Sequence, residues 1–117
     1  LRGSRMVGSN RVAMHGKKLG VLISASPELP AFTHGVRFAS AALQSGCDVY
    51  LYCIDDAVVG VGRADLQALR ASGLKLYACA YGAQQRGLPV TEQAAFAGLT
   101  VVSDLVAGTE RFVSFNG

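Results

Sequence analysis

The fold of this 117-residue chain is decided by residues 18–54, KLGVLISASPELPAFTHGVRFASAALQSGCDVYLYCI. The run KLGVLIS (18–24) is short, apolar and rich in β-branched residues, and the prolines of ASPELP end it, so it predicts a buried strand. Apolar residues then recur at helical spacing between about 31 and 45, at Phe32, Val36, Ala39 and Leu43. Gly46 ends this amphipathic helix. The run CDVYLYCI (47–54) predicts a second buried strand.

The rest of the chain continues the alternation of strands and helices. Further strands are predicted at LKLYAC (74–79), LTVVS (99–103) and RFVSF (111–115). Helices are predicted at ADLQALRAS (64–72), AYGAQQR (80–86) and TEQAAFAG (91–98), the last capped by Thr91, and DDAVVGVG (55–62) and DLVAGTE (104–110) are connections. This order predicts an α/β fold with three layers, an open, mainly parallel five-stranded sheet with helices on both faces.

The length suits one domain, which the pattern places at residues 17–117. Residues 1–16 are expected to form a flexible leader that adds little to stability, because they lack periodic apolar residues. The segment LRGSRMVGSN resembles vector-derived sequence and lacks the apolar core of a secretory signal.

Charge and hydropathy exclude two classes of partner. The formal net charge is +3, but from Leu19 onward eight acidic residues outnumber six dispersed basic ones. A nucleic-acid surface requires clustered basic residues, so no nucleic-acid partner is expected. The apolar runs are too short to cross a bilayer, so no membrane partner is expected.

Three cysteines, Cys47, Cys53 and Cys79, make an odd number without CxxC spacing. This pattern disfavours a disulfide scaffold and a zinc site. It predicts free thiols in a reducing compartment, hence a cytoplasmic location. Cys47 and Cys53 lie in or beside a strand covered on both faces and are expected to be inert core residues.

Cys79 is the candidate functional residue because it stands where a strand turns into a helix. Ligands collect at the carboxyl ends of the strands in open α/β sheets. The free N–H groups of the following helix, those of Ala80, Tyr81 and Gly82, are expected to favour a thiolate or another anion there. Position alone leaves a buried packing role for Cys79 equally open. His34 could act as a base, but no spacing supports this, and Arg86 is expected to complement the helix C-terminus rather than the sulfur.

The order of motifs resembles the DsrE/DsrF/TusD-like family of small sulfur-relay proteins over about residues 18–115. The resemblance rests on the opening strand and FTHGVRFASAALQSGCDVYLY, the acidic loop DDAV, the cysteine segment YACAYGAQQRG and the closing TERFVSF. The family has DGV where this chain has DDAV. The resemblance implies that Cys79 carries sulfane sulfur as a persulfide.

By this resemblance the chain is a sulfur carrier or transfer protein that needs no metal, nucleotide or other cofactor. Its partners would be sulfur donor and acceptor proteins or small sulfane-sulfur compounds, and it would form a homo-oligomer of two to six subunits. Two alternatives remain open from the residues: a non-catalytic binding or scaffold subunit of a sulfur-metabolism complex, and a thiol redox sensor.

Overall fold

The computed structural model describes residues 16–98, 100–109 and 111–117. Its strands are β1 (Lys18–Ile23), β2 (Asp48–Cys53), β3 (Lys75–Cys79), β4 (Ala95–Ala97) and β5 (Arg111–Phe115). Its α-helices are α1 (Pro30–Gln44), α2 (Ala64–Ala71), α3 (Ala80–Gln85) and α4 (Thr100–Gly108). A 3-10 helix (Asp55–Gly60) follows β2, where the sequence predicts a loop.

The strands form one sheet in the order β4-β3-β2-β1-β5, and every neighbouring pair is parallel. The predicted open, parallel, five-stranded α/β sheet is therefore confirmed. Because the strands are parallel, the carboxyl ends of β1, β2 and β3 lie at the same edge, at Ile23, Cys53 and Cys79.

The two faces of the sheet have different coverings. Helix α1 packs on one face, where Gly35 comes so close that a Cβ would lie 2.8 Å from the Cδ1 atom of Ile23. The opposite face carries Gly20, where a Cβ would lie 2.6 Å from the Phe112 ring. Helix α4 contacts β1 and β5. The chain moves in opposite directions along the sheet through α1 and α4, so right-handed connections place these helices on opposite faces.

Apolar side chains of the strands and of the inner helix faces form one buried core. The largest fully buried side chains are Tyr52, Phe32, Leu19, Ile23, Leu51, Leu66, Val21, Val49, Val58 and Cys53. The predicted helix face of α1 is confirmed, with Phe32, Val36 and Ala39 buried and Leu43 partly buried. The Gly16 N–H donates to the Gly46 carbonyl at 2.8 Å, which joins the start of the described residues to the end of α1.

Glycines with left-handed backbone follow three of the helices, and the one after α1 is the predicted Gly46. Their φ angles are 92° at Gly46, 116° at Gly73 and 68° at Gly87. A residue with a Cβ disfavours this region of φ, so glycine is the residue that ends each helix without strain.

Replacing Gly73 should therefore destabilise the chain through backbone strain alone. A Cβ at this position meets no atom within 4 Å, so steric contact contributes nothing. We expect Gly73→Ala to lower the free energy of unfolding by about 1–2 kcal/mol, measured by urea denaturation. Gly108→Ala is the matched control, because Gly108 also has open space but lies in α4 without a left-handed φ. Equal losses in the two variants would contradict this explanation.

Two predicted elements after residue 90 are wrong. Residues 91–98 form turns and β4 rather than a helix, and Thr91 Oγ1 accepts from the Gln93 N–H at 3.3 Å within that turn. The predicted strand at 99–103 lies instead mostly in α4. The chain must return from β4 at one edge to β5 beside β1, and a parallel crossover of this kind is usually helical. This tertiary requirement overrides the β propensity of the valines.

In the described part of the chain, no helix is both long and apolar enough to cross a membrane.

Candidate functional site

Cys79 lies at the junction between β3 and α3, as the sequence predicts. It is the last residue of the strand and the N-cap of the helix, with extended backbone angles of −68° and 118°. Its Sγ accepts a hydrogen bond from the Gly82 N–H at 3.4 Å. Among the predicted donors Ala80, Tyr81 and Gly82, Gly82 is the one seen to bond the sulfur in the described part of the chain.

The Cys79 side chain is buried, with 5% exposed, although the carboxyl edge of an open α/β sheet is where accessible reactive groups usually lie. Strand β4 pairs alongside β3 with Cys79 opposite Ala97, and the Tyr52 hydroxyl from β2 contacts the Ala97 carbonyl. The position is thus at the expected edge, but two neighbouring strands cover it.

Tyr52 is a site residue that sequence reasoning missed. Its ring is fully buried, and its hydroxyl lies 2.8 Å from the Ala97 carbonyl and 2.9 Å from the Gly98 carbonyl, both of which can accept from it. Cys79 pairs with Ala97 across β3 and β4, so this hydroxyl lies beside the Cys79 side chain. Burial raises the pKa of Tyr52 to about 12, with smaller contributions from Cys79. The hydroxyl is therefore a proton donor throughout the physiological range.

The alternation within CDVYLYCI contains a signal for this residue. Side chains two apart on a strand share a face, and Tyr50 and Tyr52 project together while Leu51 and Cys53 project oppositely. A prediction that treats the whole run as buried core does not separate the face of Tyr52 from the face of Leu51 and Cys53. The partners of the hydroxyl, 45 and 46 residues away, carry no local signal.

Arg86 connects α3 to the 3-10 helix instead of contacting the sulfur. Its guanidinium pairs with Asp56 at 2.9 Å and donates to the Gly82 carbonyl at 3.1 Å. The second contact satisfies a carbonyl near the helix end, as predicted. The DDAV segment thus lies beside α3, and a Cβ at Gly82 would lie 3.6 Å from the Asp55 nitrogen.

The other two cysteines, Cys47 and Cys53, are buried. Cys47 is 4% exposed and Cys53 is fully buried, which confirms their predicted place in the core. Burial raises the pKa of Cys53 to about 12. His34 is exposed on α1, which covers the face opposite to the Cys79 side chain, so it is not placed as a base for the thiol. His15 lies outside the described residues.

Comparison with known proteins supports the fold. No protein-family model matches the chain, and no curated protein matches it significantly. Among solved structures, the crystal structure of the ychN protein from E. coli matches with a TM-score of 0.72 and 19% sequence identity. The match covers 86% of this chain and 99% of that chain. At this identity the similarity shows the fold alone, and the chain has the open, parallel five-stranded α/β fold of that protein.

Proposed function

We propose that the chain is a sulfur carrier that holds sulfane sulfur as a persulfide on Cys79. The observation that carries the proposal is the position of the sulfur at a strand–helix junction, where it accepts from the Gly82 N–H. A backbone N–H at this distance stabilises an anionic sulfur more than a neutral one, because bonds to charged acceptors are stronger. The DsrE-like fold is consistent with this role and does not by itself assign it.

The chemistry is thiol–persulfide exchange. The Cys79 thiolate attacks the terminal sulfur of a persulfide or polysulfide donor and forms a new S–S bond. The donor's S–S bond breaks, and its electron pair leaves with the donor thiolate. An acceptor thiolate then attacks the terminal sulfur of the Cys79 persulfide and regenerates the Cys79 thiolate. No external oxidant or reductant is consumed in either step.

The burial of Cys79 determines what must precede attack. At 5% exposure the sulfur is reached by a small donor or after a local opening. The neighbouring strand β4 is three residues long and pairs only with β3 in the described sheet, so it has few hydrogen bonds to lose. Local opening of such short edge elements costs much less free energy than global unfolding.

Intact mass spectrometry tests the proposal directly. The full chain is incubated with inorganic polysulfide, alkylated, and compared with Cys79→Ser and with the control Cys47→Ser. We expect the wild type and Cys47→Ser to gain the mass of one sulfur atom, mapped to the peptide that contains Cys79. Cys79→Ser should gain none. Sulfur that maps to Cys47 or Cys53, or equal gain in Cys79→Ser, would refute Cys79 as the carrier.

A second function is favoured by the burial of all three thiols. In this alternative the chain is a non-catalytic scaffold subunit, and Cys79 is core packing. The same experiment separates the two, because a scaffold gains no sulfur in the native state. A redox sensor would instead form a sulfenic acid or a disulfide after peroxide.

We also propose that the protein works in the cytoplasm as a homo-oligomer. Two large apolar side chains near the site support the assembly, Val59 on the 3-10 helix and Tyr81 on α3, exposed by 51% and 63%. Both elements pack against each other beside the Cys79 junction.

A further inference from the structure

We propose that Tyr52 is the positioning residue of the Cys79 site and that its hydroxyl exchanges hydrogen-bond partners when the sulfur becomes anionic. With a neutral thiol it donates to the carbonyls of Ala97 and Gly98. With a thiolate or persulfide it donates to the sulfur. The inference rests on the proposed function for the persulfide and deepens it by coupling the charge of the sulfur to its covering strand.

The surroundings of Tyr52 hold its hydroxyl in one place. The ring is fully buried and stacks on Tyr77, with ring centroids 6.2 Å apart and planes 12° apart. Because the ring is confined, the hydroxyl can change partners only when its hydrogen turns about the Cζ–O bond. The Ala97 and Gly98 carbonyls are 2.8 and 2.9 Å away, and Cys79 lies beside them because it pairs with Ala97 across β3 and β4.

Competition among acceptors for the one hydroxyl hydrogen decides which partner Tyr52 bonds. A tyrosine hydroxyl has a single hydrogen to donate, and here two bonded carbonyls and the neighbouring sulfur of Cys79 can compete for it. When the proton of Cys79 leaves for solvent, the sulfur becomes a buried anion, which is costly unless it is hydrogen-bonded. Bonds to a charged acceptor are roughly twice as strong as bonds between neutral groups. The hydroxyl therefore turns from the carbonyls to the sulfur.

The exchange has a consequence for β4. The carbonyls of Ala97 and Gly98 lose the donor that connects them to β2, while β4 keeps only its three paired residues with β3. Its end is then held less firmly beside Cys79. Ionisation of the sulfur thus favours the opening through which a donor or acceptor reaches it.

Other charged groups near the site are fixed by their own contacts. Arg86 donates to the Gly82 carbonyl and pairs with Asp56, and the backbone of Asp55 approaches Gly82. None of these depends on the Tyr52 hydroxyl. A change in the titration of Cys79 after removal of that hydroxyl is therefore attributable to the hydroxyl itself.

The test is the pH profile of Cys79 alkylation in the full chain, followed by peptide mapping with iodoacetamide. Tyr52→Phe keeps the ring and removes the hydroxyl, and Tyr77→Phe is the matched control from the same ring stack. We expect the midpoint to rise by about one pH unit, a tenfold loss of thiolate, in Tyr52→Phe. It should stay within roughly 0.2 units in Tyr77→Phe. An unchanged midpoint in Tyr52→Phe, or equal shifts in both variants, overturns the proposal.

A spectroscopic measurement keeps the test decisive if Tyr52→Phe fails to fold. In the wild type labelled with ¹³C at tyrosine Cζ, the Tyr52 resonance should shift at the midpoint of Cys79 alkylation, a change separate from its own ionisation, whose pKa is about 12. Cys79→Ser should abolish this shift, because serine does not ionise. A Tyr52 resonance that ignores the midpoint overturns the exchange. Both measurements report the thiolate without sulfur transfer, so failed persulfide formation would remain a separate result.

Discussion

Cys53 is expected to stay unmodified when the native chain is treated with iodoacetamide near neutral pH, while Cys79 reacts. Cys53 is fully buried, and burial raises the pKa of its thiol from the ordinary 9.0 to about 12. Three pH units correspond to roughly a thousandfold smaller thiolate fraction, and the thiolate is the reactive species. Alkylation of Cys53 should therefore be at least about a thousandfold slower than that of an exposed thiol.

The measurement is a time course of alkylation with peptide mapping of all three cysteines. A sample unfolded in urea provides the control, because there the three thiols should react at similar rates. Cys53 reacting as fast as Cys79 in the folded chain would contradict the burial argument. If all three thiols react only after unfolding, Cys79 is a core residue and the scaffold function is favoured.

The same shift gives the stability of the chain a pH dependence. In the folded chain the Cys53 thiol stays protonated up to about 12, whereas the unfolded thiol ionises from 9.0 upward. The unfolded state therefore binds fewer protons between these values, so rising pH lowers the free energy of unfolding there. Tyr52 acts in the same direction between 10.0 and about 12.

Phe32→Ala should cause a large loss of stability, because Phe32 is the largest fully buried side chain of α1. The Phe32 ring contacts residues outside the sheet. The Arg63 guanidinium carbon lies 5.0 Å from the ring centroid, and a Cβ at Gly60 would lie 2.7 Å from the Cζ atom of Phe32. Removing the ring leaves a cavity among α1, the 3-10 helix and the start of α2. We expect the free energy of unfolding to fall by about 3–5 kcal/mol.

Phe38→Ala is the matched control on the same helix. Phe38 is 36% exposed, and its ring lies 5.7 Å from that of Phe115, so we expect a loss of about 1–2 kcal/mol. Urea unfolding of both variants measures the difference. Losses of equal size would show that the two rings are equally supported by their surroundings, contrary to their burial.

The local pattern of the sequence predicts most of the fold, because each early element carries its own signal. The apolar run at β1, the helical spacing in α1 and the glycines at Gly46, Gly73 and Gly87 each depend on residues close together in the chain. The fifth strand, Arg111–Phe115, follows from the same reasoning. The structure between Thr91 and Gly108 does not follow from local patterns. The chain must cross the sheet to reach β5, and this requirement outweighs the β propensity of the valines in that region.

The sequence by itself also places Cys79 at the end of a strand and the start of a helix, since that position depends on neighbours within a few residues. Only the tertiary structure decides that the sulfur is buried and that Tyr52 lies beside it. Those facts depend on the register of β2, β3 and β4, which brings together residues far apart in the chain. A hydroxyl and two carbonyls 45 and 46 residues away meet through strand pairing, which no local pattern of residue types records.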